Sequence, residues 1–352
     1  MNLSGVFWGS SPILSCFPVV LAIAIAIAVV ADAAPIQPAG NNDIAAMFQK
    51  SLVTPNLEES LRLRKEIADN YPESPEGYAC RAFFRDAETV ESNDAAIRYL
   101  SMAIKMKPDF TYAYFLRGRA YLHANSLVSW PPEQVSATEY EMAIGDFTKA
   151  IELDPEDADK YIKRAEARAN SGKTGKAILD YTKAISLMPK YRYEHGFAGV
   201  YSARGGLYLE GGDYDRAILD FTEAIRIMPE YAATYYQRGF AYFSKREFVR
   251  ANEDFTGAIR FKPDFADAYT MRGTSYYETG EYAKAIVDFT RAISMSSGDA
   301  RGYCRRGNAY FKNGEYSLAI ADYDTSIKAD PGYKDAYRFR ERARREKVKA
   351  GK

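Results

Sequence analysis

The stretch YYQRGFAYF, residues 235–243, contains an Arg-Gly pair with a tyrosine three residues after the glycine. The same arrangement occurs at five places: Arg117-Gly118 with Tyr121, Arg204-Gly205 with Tyr208, Arg238-Gly239 with Tyr242, Arg272-Gly273 with Tyr276, and Arg306-Gly307 with Tyr310. A glycine inside a helix costs about 1 kcal/mol relative to alanine. The recurrence of this glycine in the same pattern therefore indicates that it has the same structural role at each place.

Prolines that follow the helical stretches give the period of the repeat. A spacing of 34 residues separates Pro155 from Pro189 and Pro229 from Pro263. Pro331 lies two such spacings after Pro263, with Ser297 at the midpoint. The intervals from Pro108 to Pro155 and from Pro189 to Pro229 are longer, at 47 and 40 residues. These two intervals predict insertions of 13 and six residues in an otherwise regular array.

When position 32 is assigned to the proline, seven units begin at Gly77, Thr111, Ala158, Ala198, Ala232, Ala266 and Ala300. Their period and their residues at positions 4, 8, 20 and 24 resemble those of the tetratricopeptide repeat family. In the unit that begins at Ala232, these residues are Tyr235, Gly239, Ala251 and Phe255. The resemblance covers residues 77–333, and the first unit departs from it, with Cys80, Phe84 and Leu100 at positions 4, 8 and 24.

The resemblance implies an all-α fold: a right-handed α-solenoid (superhelix) of about seven helix-turn-helix repeats with N- and C-terminal capping helices. No single unit can bury its apolar face alone, so neighbouring units have to stack. We expect glycine at position 8 to let helix A approach the alanine at position 20 of helix B.

A second regularity pairs charges across each unit. Six units carry arginine at position 7 and aspartate at position 23: Arg117 and Asp146, Arg164 and Asp180, Arg204 and Asp220, Arg238 and Asp254, Arg272 and Asp288, and Arg306 and Asp322. The first unit has neither charge, with Phe83 and Tyr99 instead. Because the two residues occur together or not at all, we predict a bidentate, partly buried ion pair in each of the six units.

The segments outside the repeats differ in character. Residues 12–31 contain no charge, and small residues follow at Ala31–Ala34, so residues 1–34 are predicted to be either a cleaved signal peptide or an N-terminal membrane anchor. A linker is expected at 35–42 and an N-terminal helical cap or degenerate repeat at 43–76. Residues 334–352 predict a basic C-terminal capping helix, which either only solvates the end of the array or contacts an anionic lipid or an acidic partner.

Composition and motifs argue against several functions. Forty-seven basic residues balance 47 acidic ones, which argues against nucleic-acid binding. Two histidines and three scattered cysteines provide no metal site and no disulfide framework. No catalytic or nucleotide-binding motif is recognisable. We therefore expect no enzymatic activity, no cofactor and no small-molecule substrate.

The resemblance implies that positions 2, 5, 9 and 12 of helix A form a concave wall. Here the wall would include aromatic and polar side chains from the fifth to seventh units: Tyr236, Phe240, Phe243, Tyr277, Arg301, Arg305, Asn308 and Phe311. Such a surface suits an extended or helical peptide with apolar anchors, although part of the aromatic set could instead pack between adjacent helices. Trp130, in the 13-residue insertion, is expected either to pack on the adjoining helix or to contact a partner.

These features predict a non-catalytic scaffold or adaptor for protein partners, located extracytoplasmically (secreted or periplasmic) or anchored in a membrane through residues 12–31. The alternative is a membrane-anchored receptor or co-chaperone with its repeats in the cytosol. An accessory subunit of an enzyme complex would differ only in the partner. The resemblance also allows a comparison with the family's carboxylate clamp for chaperone tails. Arg301 and Arg305 match its last pair, but Tyr236, Phe240 and Met271 occupy other clamp positions, which disfavours chaperone docking.

Overall fold

The computed structural model describes residues 41–85, 90–123, 135–187, 194–296 and 298–351. These ranges contain 17 helices and no strand, which confirms the expected all-α fold. The helices are α1 Asn41–Val53, α2 Leu57–Asn70, α3 Pro75–Arg85, α4 Val90–Met106, α5 Thr111–His123, α6 Ala137–Leu153, α7 Ala158–Asn170, α8 Thr174–Leu187, α9 Glu194–Glu210, α10 Tyr214–Ile227, α11 Ala232–Ser244, α12 Phe248–Phe261, α13 Ala266–Glu278, α14 Tyr282–Met295, α15 Ala300–Lys312, α16 Tyr316–Ala329 and α17 Lys334–Lys349.

The chain divides into two compact units, Met1–Leu153 with helices α1–α6 and Asp154–Lys352 with helices α7–α17. Each predicted repeat contains one helix pair, from α3 and α4 through to α15 and α16. We call the first helix of a pair its A helix and the second its B helix, and α17 is an A helix without a B helix. From α9 to α17, every B helix also packs on the A helix that follows it, so each pair is supported by the next.

Residues before the first repeat form a helical hairpin, α1 and α2. Asn56 caps α2 by accepting hydrogen bonds from the backbone N–H groups of Glu58 and Glu59. Phe48 of α1 is buried and makes edge contacts with the rings of Phe110 and Tyr112, at centroid distances of 5.4 and 5.3 Å. The hairpin therefore covers apolar surface of the early repeats.

The turn between A and B helices requires a left-handed residue at position 15. Gly212 (φ 77°) ends α9, its N–H donates to the Leu209 carbonyl, and the N–H of Asp213 donates to the Tyr208 carbonyl at 2.8 Å. This pair of bonds is the usual way in which a glycine closes a helix. In the fifth repeat Arg246 takes the same conformation, with φ 63°, and the equivalent two hydrogen bonds are kept.

The glycine at position 8 packs against the aromatic ring at position 24 of helix B. A Cβ placed on Gly239 would lie 2.9 Å from Cε1 of Phe255 and 3.1 Å from Cβ of Asp254, and the alanine at position 20, Ala251, contributes none of its three nearest atoms. The expected approach to Ala251 stays a prediction. Positions 20 and 24 lie one turn apart on the same face of helix B. The other glycines at this position, Gly118, Gly205, Gly273 and Gly307, meet the rings of Phe147, Phe221, Phe289 and Tyr323 in the same way.

All six predicted arginine–aspartate pairs are present and bidentate. In each, Nε donates to Oδ2 and Nη2 donates to Oδ1, at distances of 2.7–2.9 Å. The six aspartates are between 4% and 7% exposed. Burying a carboxylate is costly unless it is paired and hydrogen-bonded. Because the arginine of each pair is on the A helix and the aspartate is on the B helix, each pair stabilises the packing of these two helices.

A third hydrogen bond links successive repeats, and sequence reasoning missed it. Nη1 of the arginine donates to the hydroxyl at position 25 of the preceding repeat: Arg117 to Ser101, Arg204 to Thr182, Arg238 to Thr222, Arg272 to Thr256 and Arg306 to Thr290, at 2.9–3.1 Å. Arg340 of α17 extends the series by donating to Asp324 Oδ1 at 2.7 Å. The hydroxyl at position 25 is visible in the sequence and could have been counted with the arginines.

Candidate partner-binding surface

The eight predicted contact residues lie on three successive A helices of the second compact unit. Tyr236, Phe240 and Phe243 are on α11, Tyr277 is on α13, and the remaining four are on α15. We call this set, Tyr236, Phe240, Phe243, Tyr277, Arg301, Arg305, Asn308 and Phe311, the candidate surface. Consecutive A helices touch one another here, so the structure brings the eight residues onto neighbouring elements. Arg301 is exposed and the other seven are half-buried.

Three aromatic rings of the candidate surface share one mode of support. Phe243, Tyr277 and Phe311 occupy position 12 of their repeats, and each packs edge-on against the ring at position 17 of the same repeat. The three pairs are Phe243 with Phe248, Tyr277 with Tyr282 and Phe311 with Tyr316, all with centroids 5.5 Å apart. Each position-12 ring is therefore supported by an aromatic ring of its own repeat and is half-buried.

Tyr236 differs, because it packs between repeats. Its ring lies 5.8 Å from that of Phe255 on the B helix of its repeat and 5.0 Å from that of Phe265, the N-cap residue of α13. Burial raises the pKa of Tyr236 well above the usual value, and the negative charge of Asp267 adds to the rise. The alternative of aromatic packing between helices therefore describes Tyr236.

A hydrogen bond from a buried tyrosine orients the side chain of Asn308. The hydroxyl of Tyr323 donates to Asn308 Oδ1 at 2.8 Å, and Tyr323 is 1% exposed. Burial raises the pKa of Tyr323 above its ordinary value, so the hydroxyl stays protonated and can donate. This contact fixes the position of the Asn308 amide beside the arginines of α15.

The last helix, α17, carries arginines at the positions that are expected to form the wall in the repeats. Counted as an eighth repeat that begins at Lys334, α17 carries Arg338, Arg342 and Arg345 at positions 5, 9 and 12. The guanidinium carbon of Arg342 lies 5.0 Å from the centroid of the Phe311 ring. Sequence reasoning treated α17 as a cap and did not apply the wall positions to it, although the same count would have found these residues.

Metal binding and thiol chemistry have little support in the described part of the chain. No group of three or more potential metal-ligating side chains occurs there. Burial raises the pKa of Cys80 to about 12 and that of Cys304 to about 11, so both thiols are protonated and unreactive near neutral pH. Trp130 and residues 12–31 lie outside the described residues. None of the described helices has the length and apolar character needed to cross a bilayer.

Comparison with known proteins agrees with this architecture. Three tetratricopeptide family models match the chain: one described as "Tetratricopeptide repeat" at residues 300–333, one described as "TPR repeat" at 205–245 and 273–314, and a second "Tetratricopeptide repeat" model at 81–129.

Two curated human proteins and one solved structure illustrate the similarity. Tetratricopeptide repeat protein 13 of Homo sapiens is 28% identical over 173 residues, 47% of this chain and 18% of that protein. Serine/threonine-protein phosphatase 5 of Homo sapiens is 33% identical over 94 residues, 27% of this chain and 16% of that protein. The chain thus matches less than a fifth of the length of these relatives. The C-terminal part of a TPR repeat-containing protein from Cytophaga hutchinsonii superposes with a TM-score of 0.57 at 18% identity, covering 73% of this chain and 98% of that structure, which shows the shared fold.

Proposed function

Because the chain belongs to the tetratricopeptide repeat family, we propose that it is a non-catalytic scaffold that binds a protein partner through the candidate surface. The observation that carries this proposal is the set of three position-12 rings, each half-buried and each supported by a ring of its own repeat. Aromatic side chains that are rigid before binding lose little entropy when a partner covers them. Such anchors, together with arginine, are enriched among the residues that dominate binding energy.

Replacing Phe243 and Phe311 by alanine tests the proposal. We expect the double variant to bind its partner at least about tenfold more weakly, because truncation of an interface anchor typically costs 2 kcal/mol or more. Binding is measured as the amount of partner recovered with the tagged full-length chain from native cells, and then as the affinity for that purified partner.

The matched control is the pair Leu219→Ala and Val287→Ala. These side chains are on B helices and are both 67% exposed, so the control removes apolar surface elsewhere. Circular dichroism must show the same helicity in both double variants. Unchanged binding by the phenylalanine variant, or an equal loss in the control, would contradict the assignment of the candidate surface.

For location, we propose export, with the repeats outside the cytoplasm and residues 12–31 serving as a signal or an anchor. The support is the uncharged run itself, followed by the small residues Ala31–Ala34. Protease added to intact cells should then degrade the repeats. Protection in intact cells, with cleavage only after lysis, would instead favour repeats that face the cytosol.

A further inference from the structure

Two arginines of the first compact unit lack a counter-charge. Arg64 on α2 and Arg119 on α5 are half-buried, and neither has a carboxylate within 4.0 Å among the residues that the structure describes. The Nε atom of each is buried and has no hydrogen-bond acceptor. Arg168 and Arg340 share this feature, but each donates through Nη1 to an aspartate. Because buried charges are normally paired, the charges of Arg64 and Arg119 call for an explanation.

The local sequence gives neither arginine a partner on its own helix. Side chains three and four residues apart are neighbours on a helix. These positions around the two arginines hold no carboxylate: Ser60, Leu61, Ile67 and Ala68 around Arg64, and Phe115, Leu116, Leu122 and His123 around Arg119. Helix α5 contains no acidic residue, and Glu76, the one on α3, is paired with Lys107 at 3.1 Å.

Both guanidinium groups act on the hydroxyl of Tyr112. Nη1 of Arg64 donates to this hydroxyl at 3.4 Å, and the guanidinium carbon of Arg64 lies 4.3 Å from the centroid of the Phe83 ring. Arg119 is two turns after Tyr112 on the same face of α5, and side chains of a helix lean toward its N-terminus. The positive charges of both arginines oppose the rise in the Tyr112 pKa that burial causes.

Tyr112 contributes a third donor. Its hydroxyl accepts the hydrogen bond from Arg64, which leaves its own hydrogen available to an acceptor. Burial raises the pKa of Tyr112, so this hydrogen stays in place near neutral pH. The ring is held by the buried Phe48, with the two centroids 5.3 Å apart. Two helices therefore present two positive charges and a hydroxyl without any negative group between them.

Other basic side chains of this unit differ from these two. Arg62 and Arg98 are exposed, so water solvates them. Arg81 is half-buried, with its guanidinium carbon 5.9 Å from the centroid of the Tyr99 ring. Within the described part of the first unit, only Arg64 and Arg119 have a buried side-chain nitrogen without a partner.

We propose that Arg64, Arg119 and the hydroxyl of Tyr112 bind a phosphate group. Two guanidinium groups balance the charge of this dianion, and three donor groups reach different oxygens of a tetrahedral anion. A monocarboxylate has one charge and two oxygens, so it leaves one guanidinium uncompensated. The bound anion links α2 of the N-terminal hairpin to α5 of the second repeat. This site is in the first compact unit and does not depend on the candidate surface in the second.

Equilibrium dialysis of the purified full-length chain against radiolabelled inorganic phosphate tests this site. We expect saturable binding whose affinity falls about tenfold or more in the double variant R64Q/R119Q, because charge-assisted hydrogen bonds are lost. Tyr112→Phe keeps the ring and removes one donor, so it should weaken binding about two- to tenfold.

The matched control is R62Q/R98Q, which removes the same charge from exposed side chains of α2 and α4 in the same unit. We expect less than about a twofold change in this control, since the attraction of exposed charges is screened. Circular dichroism must show wild-type helicity in each variant, and Arg119→Met, which keeps an unbranched apolar stem, replaces R64Q/R119Q if that variant does not fold. Absence of saturable phosphate binding by the wild type, or an equal loss in the control, would overturn the site.

Competition identifies the chemical form of the ligand. Displacement of the labelled phosphate by O-phosphoserine would assign the site to a phosphate ester, whereas displacement by unlabelled phosphate but not by O-phosphoserine would assign it to the free anion. Acetate that competes as well as phosphate does would overturn the choice of a dianion. Recovery of the protein partner should be unchanged in R64Q/R119Q, so failure of the phosphate site leaves the proposed function standing.

Discussion

Arg238→Ala is expected to lower the free energy of unfolding by about 3–5 kcal/mol, the usual cost of removing one partner of a buried ion pair. Asp254 is 5% exposed and accepts two hydrogen bonds from Arg238, at 2.7 and 2.8 Å. Without the guanidinium its carboxylate is left buried and unpaired. The variant also loses the bond from Arg238 to Thr222 in the preceding repeat, so one substitution weakens both the helix pair and its junction.

Denaturant unfolding of purified variants measures this effect, and two controls make it specific. Arg250→Ala removes an exposed arginine of α12 that pairs with Glu247 at 2.9 Å, and it should cost less than about 1 kcal/mol. The double variant Arg238→Met with Asp254→Leu replaces the pair by apolar side chains and should recover most of the loss. A cost below about 1 kcal/mol for Arg238→Ala would show that the pair contributes little.

The pH dependence of Arg238→Ala has a defined sign. Burial already raises the pKa of Asp254 above its ordinary value, even beside Arg238. Loss of the guanidinium raises this pKa further, so the folded variant takes up a proton more readily than the unfolded chain does. Stability from this group is then present at low pH and lost as pH rises through the raised pKa. The difference between wild type and variant should therefore shrink as the pH is lowered from neutral.

Gly205→Ala and Gly206→Ala, at adjacent positions of α9, are expected to have opposite effects. A Cβ on Gly205 would lie 2.9 Å from Cε1 of the buried ring of Phe221 and 3.2 Å from Cβ of Asp220. Overpacking of this kind costs about 1–3 kcal/mol, which outweighs the gain in helix propensity. A Cβ on Gly206 meets no atom within 4 Å, so alanine there should stabilise the helix by about 1 kcal/mol.

Thermal and denaturant unfolding of the two single variants measures the contrast. Both substitutions add the same methyl group to the same helix, so each serves as the control for the other. If Gly205→Ala stabilised the protein as much as Gly206→Ala does, the glycine at position 8 would not be required for helix packing, and its repetition along the chain would need another explanation.

The sequence predicted those features that depend on position within a repeat. The Arg–Asp pairs were predictable because two complementary charges appear together in six units and are absent together from one. The contact of Gly239 with the ring of Phe255 was not predicted, because the period fixes the face of a helix but not the height at which two helices cross.

The candidate surface, too, could be predicted only in part from the sequence. The wall positions identify Phe243, Tyr277 and Phe311, but only the structure shows that each ring is held by a second ring. Whether an aromatic side chain at a wall position turns toward a partner or toward the next repeat depends on inter-repeat packing, which placed Tyr236 against Phe265. The role of these residues in partner binding stays a prediction.

Site-specific photo-crosslinking in native cells tests the binding surface most directly. A benzoylphenylalanine is introduced in place of Phe243, Tyr277 or Leu219, the last being an exposed side chain of α10 outside the candidate surface. We predict that the probes at Phe243 and Tyr277 form a covalent adduct with the same partner and that the probe at Leu219 does not. Adducts formed from Leu219 alone would contradict a partner-binding surface on the A helices.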